Sequence, residues 1–267
     1  MTEILNDLSN NHAVIAAIEE NMISFWSNYG RVEGSEVFED ERFIGFISGL
    51  PHPLFNAVFR AQLRVSQIEP TIQEAVEKFS SRSLPMFWWV GPSTLPSDLG
   101  NHLLKQGFKG GGATPGMAIA QDALLEKVSV PEDFEINIID DKTALRQWVD
   151  ILVMGNDVPN LAQATFDLES RLPVSPHHYL GFLAGEPVTA SALYLDSGVA
   201  GIYSVATLHQ ARGKGLGAAI TLQPLLDARA MGYKVGVLQA STMGHGVYKS
   251  LGFKDFCQLE IYMYQSS

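Results

Sequence analysis

The sequence of 267 residues carries 18 lysines and arginines against 29 aspartates and glutamates, which gives a formal net charge of -11. This balance argues against nucleic acid or an anionic membrane surface as the main partner, and it favours a neutral or cationic small molecule. The hydrophobic fraction of 46% is typical of a globular protein with a sizeable core. We also find no run of about eighteen apolar residues that would predict a membrane-spanning helix.

The cellular compartment is predicted from cysteine usage and from the amino terminus. The one cysteine, Cys257, has no partner for an internal disulfide, which is consistent with a reducing compartment. Residues 1–11 contain acids and asparagines but no apolar run preceded by basic residues, so we expect no signal peptide. These features predict a cytoplasmic protein, and we expect no metal site.

The first half of the chain is predicted to alternate helices and strands. Apolar residues recur at the spacing of one helical face over residues 11–28, and Gly30 follows as a stop signal. Strands are predicted at residues 35–39, 43–48, 54–63, 86–90 and 117–120, and further helices at 71–80 and 97–106. Glycines at 110–112 are expected to loosen the chain before the last of these strands.

The order of elements begins again after Pro131. The spacing of apolar residues predicts strands at 134–139, 178–184, 187–195, 199–208, 234–240 and 256–264. It predicts helices at 142–154, 161–171, 217–231 and 244–251. Pro224 lies inside the third of these helices, where it removes one hydrogen bond and should bend the helix.

Two pairs of segments indicate that the halves repeat each other. Residues 43–51 parallel residues 179–187, and residues 103–109 parallel residues 248–254, with a Gly-Phe dipeptide at the same place in each pair. Two copies of one α/β fold are the simplest account. We therefore predict two domains, 1–130 and 131–267.

A glycine-rich turn separates the strand at 199–208 from the helix at 217–231. Its alternating glycines are Gly213, Gly215 and Gly217. Glycine permits positive φ and leaves the amide N–H groups uncovered, and those groups lie at a helix N-terminus, which attracts an anion. The turn therefore predicts a phosphate or pyrophosphate ligand, although a connection without a ligand stays open.

Two known phosphate-binding motifs fit this turn poorly. A dinucleotide fingerprint would open a βαβ unit and be followed by a strand ending in an acid, whereas the following strand ends in Leu238-Gln239-Ala240. A nucleotide-hydrolase loop requires Gly-Lys-Ser/Thr, which is absent. The equivalent segment of the first half, residues 67–74, has no glycine and two acids, so it would repel a pyrophosphate. We expect one ligand-competent domain and one degenerate copy.

Two motifs of the second half point to a known family. The segment Gln210-Ala211-Arg212-Gly213-Lys214-Gly215 matches Gln/Arg-x-x-Gly-x-Gly/Ala, and Tyr248 lies four residues before the glycine of Gly252-Phe253. With these motifs the chain resembles the GNAT superfamily of N-acetyltransferases. The resemblance implies an α/β (α+β) fold of two tandem GNAT-like domains, each a mixed, mostly antiparallel sheet flanked by helices, with a degenerate N-terminal copy.

The resemblance also implies a ligand and its contacts. Acetyl-CoA would place its pyrophosphate on the turn and its pantetheine arm along the preceding strand, where that strand separates from the next one. The implied cofactor-binding residues are Val205, Ala206, Thr207, Arg212, Gly213, Lys214, Gly215, Leu216, Gly217 and Ser241, the last standing near the place where the family often has Asn. Arg212 and Lys214 are expected to add positive charge.

The implied reaction is transfer of an acetyl group to a primary amine of a small molecule or peptide, with Tyr248 as the acid for the departing thiolate. The general base is not visible, because residues 201–206 contain no carboxylate. Candidates are a water relay and four histidines, His177, His178, His209 and His245, each of which also has a structural or solvated interpretation. Alternatives are a non-catalytic acyl-CoA binding or sensing protein and a nicotinamide-dependent redox enzyme.

Overall fold

The structure is a computed structural model, and it describes residues 3–265. The helices are α1 (Asn11–Tyr29), α2 (Ile68–Ser80), α3 (Leu99–Lys105), α4 (Lys142–Gly155), α5 (Ala162–Glu169), α6 (Leu216–Ala230) and α7 (His245–Leu251). The strands are β1 (Glu36–Glu39), β2 (Ile44–Ile47), β3 (Asn56–Phe59), β4 (Met86–Val90), β5 (Lys109–Ala120), β6 (Phe134–Ile139), β7 (His177–Leu183), β8 (Glu186–Asp196), β9 (Val199–Thr207), β10 (Val235–Gln239) and β11 (Lys254–Tyr264). Each helix and strand predicted from the sequence has a counterpart, and none of the described helices is long and apolar enough to span a membrane.

Two strands differ from the prediction by more than two residues in length. β3 starts later because Pro53–Phe55 forms a 3-10 turn before it, as the fixed φ of proline favours, and it ends at Phe59, before Arg60 with φ of 47°. β5 is longer, since the glycines at 110–112 lie within it and were wrongly expected to loosen the chain. A Cβ on Gly111 would lie 3.3 Å from the carbonyl oxygen of Ile261, so the close approach of β11 favours glycine there.

By packing, the chain forms two compact units, which we call the large unit and the small unit. The large unit comprises the residues up to Met22 together with Gly116–Phe256, and the small unit comprises Ile23–Pro115 together with the residues from Cys257. α1, β5 and β11 therefore each contribute residues to both units. The predicted boundary between residues 130 and 131 stays a prediction about the sequence repeat.

The sheet of the large unit has the strand order β5-β10-β9-β8-β7-β6. β9 and β10 are parallel, as their connection through α6 requires, and the other neighbours are antiparallel. Its core is formed by side chains that include Ile202, Ile220, Leu238, Leu251 and Phe253, all at most 3% exposed. This core fixes α6 and α7 on the sheet.

The small unit repeats this pattern with fewer strands. Its order is β1-β2-β3-β4-β11, with β3 and β4 parallel and connected through α2. The core includes Val58, Ile72, Phe79, Trp88 and Leu103. The fold class is thus confirmed: each unit has a mixed, mostly antiparallel sheet and helices that pack on it.

The topology corrects one detail of the predicted repeat. The strand that leads into α6 is β9, and its hairpin neighbour is β8; in the small unit β3 leads into α2 and its neighbour is β2. Residues 43–51 therefore occupy the place of β8, not that of β7, with which the Gly-Phe dipeptide aligned them. The other pair holds, because α3 and α7 both follow the second parallel strand.

Proline 224 lies within α6, and the helix continues through it. Proline has no N–H, so the carbonyl oxygen of Ile220, four residues earlier, loses its helical donor. The buried hydroxyl of Ser191 in β8 donates to that oxygen at 2.7 Å. The sheet thereby satisfies a carbonyl group that the helix leaves open.

Candidate functional site

The turn between β9 and α6 is built by glycines in the left-handed region, with φ of 78° at Gly213 and 81° at Gly215. A Cβ on Gly215 would collide with the carbonyl oxygen of Ser129. α6 begins at Leu216, and no side chain of residues 3–265 caps its N-terminus. The first N–H groups of the helix therefore have no acceptor in the helix and attract a negatively charged ligand.

β9 and β10 pair over only two positions, Ala200 with Gly236 and Gly201 with Val237. Beyond Gly201, β9 continues for six residues without this partner. On its other side, Leu208 N–H donates to the carbonyl oxygen of Val188 at 3.0 Å. Alternate residues of an antiparallel pair point their amides away from the partner, so residues 205 and 207 direct theirs into the opening. An extended amide-containing ligand fits this edge.

A β-bulge accompanies the opening. The pairing of β8 with β9 shifts register between Ala190 and Ala192, and Ser204 in the facing part of β9 has φ of 54°. A bulge adds one unpaired residue and bends its strand. Past the bulge, Thr189 Oγ1 donates to the carbonyl oxygen of Ala206 at 2.7 Å and fixes the end of β9 to β8. This geometry accompanies the departure of β9 from β10.

A cavity of about 760 Å³ occupies the opening and extends to the glycine turn, entirely within the large unit. Most of the residues predicted to bind the ligand line it: Val205, Ala206, Thr207, Arg212, Gly213, Gly215, Leu216, Gly217, Ser241 and Tyr248. Lys214 is exposed and is not among the lining residues. The sequence motifs thus converge on one cavity, and their roles in binding stay predictions.

The C-terminal end of α4 forms one wall of the cavity, which the sequence did not predict. Gly155 and Asn156 line the cavity, and a Cβ on Gly155 would lie 3.0 Å from Cβ of Ala206 and 3.4 Å from the amide nitrogen of Thr207. The signal in the sequence is a glycine followed by asparagine at a predicted helix end. That signal is typical of any helix stop, and only the fold brings this one against β9.

Tyr248 lies in α7 with 7% of its surface exposed, and burial raises its pKa to about 12. Its ring packs against Phe253, and a Cβ on Gly244 would lie 2.8 Å from the ring. Within residues 3–265 its hydroxyl makes no hydrogen bond. The hydroxyl therefore keeps its proton at neutral pH and is available as a donor to a ligand in the cavity.

Ser241 begins the connection to α7. Its Oγ accepts a hydrogen bond from the N–H of Gly244 at 3.1 Å, and its carbonyl oxygen accepts from the N–H of His245 at 3.0 Å. The side chain thus stabilises the turn that precedes α7, whose N-cap residue is Gly244. Its O–H remains able to donate to a ligand, which is compatible with the predicted contact.

None of the four candidate histidines lines the cavity. His178 is 5% exposed and contacts the carboxylate of Glu169, with 3.2 Å between Nε2 and Oε2. His209 and His245 contact aspartates at the surface, and His177 is exposed. The lining residues include no carboxylate, and the described residues hold no group of three or more side chains arranged for a metal ion.

No family model and no curated protein matches the sequence. Solved structures match the fold. A GCN5-related N-acetyltransferase from Kribbella flavida has a TM-score of 0.72 at 14% identity, covering 94% of this chain and 96% of that one. A GCN5-related N-acetyltransferase from Sphaerobacter thermophilus has a TM-score of 0.61 at 12% identity, with 99% and 94% covered.

A third solved structure bears on the repeat. A tandem GNAT protein from the clavulanic acid biosynthesis pathway has a TM-score of 0.61 at 12% identity, and the match covers 98% of this chain and 96% of that protein. Such low identity establishes the fold and nothing finer. The fold of this chain is therefore similar to that of GNAT N-acetyltransferases, among them a tandem GNAT protein.

Proposed function

We propose that this protein is an N-acetyltransferase that moves an acetyl group from acetyl-CoA to a primary amine of a small molecule or peptide. One observation carries the proposal: a single cavity is bordered by an uncapped helix N-terminus, a free strand edge and a protonated tyrosine hydroxyl. These three features suit a pyrophosphate, an arm with two amides and a thioester, in that order.

The reaction needs a thioester, a proton donor and a path for the proton of the amine. Acetyl-CoA supplies the thioester when it is bound. Tyr248 holds a proton at its hydroxyl and can donate it to the sulfur that departs. The attacking amine must first lose a proton, because a lysine-type amine has a pKa of about 10.4. Since no carboxylate or histidine lines the cavity, we propose that water carries that proton away.

The acceptor class is proposed from the charge of the protein. The net charge of -11 favours association with a cationic amine, whether free or at a peptide. The second candidate is an acyl-CoA sensor that binds the same ligand and transfers nothing. The absence of a base among the residues that line the cavity is the observation that favours it.

Replacing Tyr248 with phenylalanine separates binding from transfer. For the enzyme, we expect Tyr248→Phe to bind acetyl-CoA within about threefold of the wild type and to turn over about 100 times more slowly. Calorimetry measures the binding, and detection of the released thiol with mass spectrometry of the product measures the transfer. Tyr262→Phe is the matched control, since that hydroxyl contacts Glu260 in the small unit.

The outcomes distinguish the candidates. A wild-type protein that binds acetyl-CoA and acetylates nothing in a broad panel of amines and peptides is a sensor. Binding of a nicotinamide cofactor in place of acetyl-CoA would instead support redox chemistry. Equal turnover by the Tyr248→Phe variant and the wild type would remove Tyr248 from the mechanism.

A further inference from the structure

Arg212 is the one charged residue among those that line the cavity, and its side chain is already engaged. Its Nε donates to the carbonyl oxygen of Thr207 at 3.1 Å, and an Nη donates to the carbonyl oxygen of Gly155 at 2.9 Å. Both acceptors belong to cavity walls. Thr207 is the last residue of β9, and Gly155 is the last residue of α4.

These two carbonyl groups lack partners in their own elements. The last carbonyls of a helix have no intrahelical donor, and a cation at a helix C-terminus is favourable. The carbonyl of Thr207 points away from β8 and has no partner strand on that side. One guanidinium, whose planar fork presents several donors in fixed directions, therefore joins the strand edge to the helix end.

We propose that Arg212 is a positioning residue: it holds the β9 edge and the α4 end at the spacing that admits the pantetheine arm, and it does not act by contacting the ligand's phosphates. The identity of the ligand rests on the proposed function. The bond to Thr207 also leaves the N–H of Thr207, and both amide groups of Val205, for the ligand.

The neighbouring cation provides the contrast. Lys214 is two residues further along the same turn, is exposed, and makes no contact through its ammonium group within the described residues. A charge at Lys214 acts on a bound anion only through solvent, where salt screens it. Arg212 and Lys214 thus carry the same charge at one turn but have different tasks.

Hydrogen exchange of the ligand-free protein tests the bracing directly. We expect Arg212→Gln to speed exchange about tenfold at the hydrogen-bonded amides of residues 156–158 and Leu208, because the two walls lose their common partner. Lys214→Gln is the matched control and should leave exchange unchanged. Arg212→Lys should have an intermediate effect, since one ammonium group cannot reproduce the planar fork.

Binding then separates positioning from a merely structural role. We expect Arg212→Gln to weaken acetyl-CoA about 10- to 100-fold, and to weaken S-acetylpantetheine, which has no phosphate, by the same factor. Lys214→Gln should weaken acetyl-CoA at most a few-fold. Measurements are made by calorimetry and ligand-detected NMR at a temperature where each variant is folded.

Each outcome decides the proposal. A loss confined to acetyl-CoA, with exchange unchanged, would show that Arg212 contacts phosphate and would overturn it. Faster exchange with unchanged affinity for both ligands would leave Arg212 as a structural residue only, which also overturns it. If the wild type binds neither ligand, the proposed function fails. Unchanged exchange in Arg212→Gln would show separately that Arg212 does not hold β9 and α4 together.

Discussion

The starts of α6 and α2 differ, although both helices follow a strand that pairs in parallel with the next one. Before α6, the glycines of residues 213–217 leave the first N–H groups uncovered. At the start of α2, the N–H of Ile68 already donates to the carbonyl oxygen of Val65, and Pro70 has no N–H. Glu69 adds a negative charge to the same turn. An anion is therefore stabilised at α6 and repelled at α2.

The two strand edges differ as well. A residue with positive φ occurs within β9, Ser204 at 54°, and directly after β3, Arg60 at 47°. In the large unit the edge beyond that residue borders the cavity. In the small unit the N–H of Leu95 donates to the carbonyl oxygen of Ala61 at 2.8 Å, and the N–H of Leu63 donates to that of Leu95 at 2.9 Å. In the small unit, the segment around Leu95 therefore occupies the strand edge that follows β3.

A third difference concerns the hydroxyl. Tyr248 and Leu103 occupy equivalent positions, because each carbonyl oxygen accepts the N–H of the residue that follows a left-handed glycine, Phe253 at 3.0 Å and Phe108 at 3.1 Å. Both side chains are buried. The small unit therefore lacks an anion site, a free edge and a proton donor at the corresponding places. On the proposed function, a shared framework would serve ligand chemistry in one unit and packing in the other.

Placing an acid at the start of α6 should have the largest effect. Gly217→Asp puts a carboxylate where α2 has Glu69, and a Cβ there would meet only Oγ1 of Thr207 at 3.8 Å, so the fold should tolerate it. We expect acetyl-CoA to bind about 100-fold more weakly or worse, because like charges repel at the anion site. Gly217→Asn, of the same size, should lose about tenfold at most. Equal losses in calorimetry would mean that bulk, not charge, is responsible.

Hydrogen exchange should distinguish the two edges. In the free protein we expect the amide of Val205 to exchange about 100 times faster than that of Leu63, which is bonded to Leu95. Acetyl-CoA should slow exchange at Val205 and leave Leu63 unchanged. Leu208, whose N–H donates to Val188, is the internal control and should be slow throughout. Ligand-dependent slowing at Leu63 would instead indicate a second binding site in the small unit.

The sequence revealed the parts of the site that are local. Alternating glycines at 213–217 and the position of Tyr248 before Gly252 are readable within a few residues, because each depends on the backbone of one turn. The element order followed for the same reason, from apolar spacing and from glycine and proline stops. These features fixed the fold class and the approximate place of the cavity.

Contacts between residues far apart in the chain could not be predicted from the sequence. The hydrogen bond of Arg212 to Gly155 joins residues 57 positions apart, and the sequence around either residue does not predict contact with the other. The hydrogen bonds of Leu95 that fill the edge of the small unit depend on a loop returning to β3. The misassigned repeat has the same origin: a Gly-Phe dipeptide identifies a strand type, whereas the neighbours of the strand determine its place in the sheet.

The free energy of unfolding should depend on alkaline pH through the buried hydroxyl of Tyr248, whereas Leu103, at the equivalent position, has no group that titrates. Burial raises the pKa of Tyr248 from 10.0 to about 12, so the folded state holds the proton more tightly than the unfolded state. Its stabilising contribution is complete below pH 10 and is lost as the pH rises toward 12, about 3 kcal/mol in all. Tyr179, Tyr203 and Tyr262 also have raised pKa values, so both proteins should lose stability at alkaline pH. In chemical unfolding the loss should be smaller in Tyr248→Phe than in the wild type by the contribution of Tyr248. Parallel pH dependence in both would mean that the hydroxyl is solvated.

The prolines of α2 and α6 also differ in their surroundings, and this difference predicts a smaller effect on stability. Pro70 lies in the first turn of α2, where no intrahelical bond is lost, whereas Pro224 lies inside α6 and relies on Ser191 to satisfy Ile220. Ser191→Ala should lower the free energy of unfolding by about 1 kcal/mol, because a buried carbonyl loses its donor. In a Pro224→Ala background the helix regains its own N–H, so the same substitution should cost much less. An equal cost in both backgrounds would show that Ser191 stabilises something other than the carbonyl of Ile220.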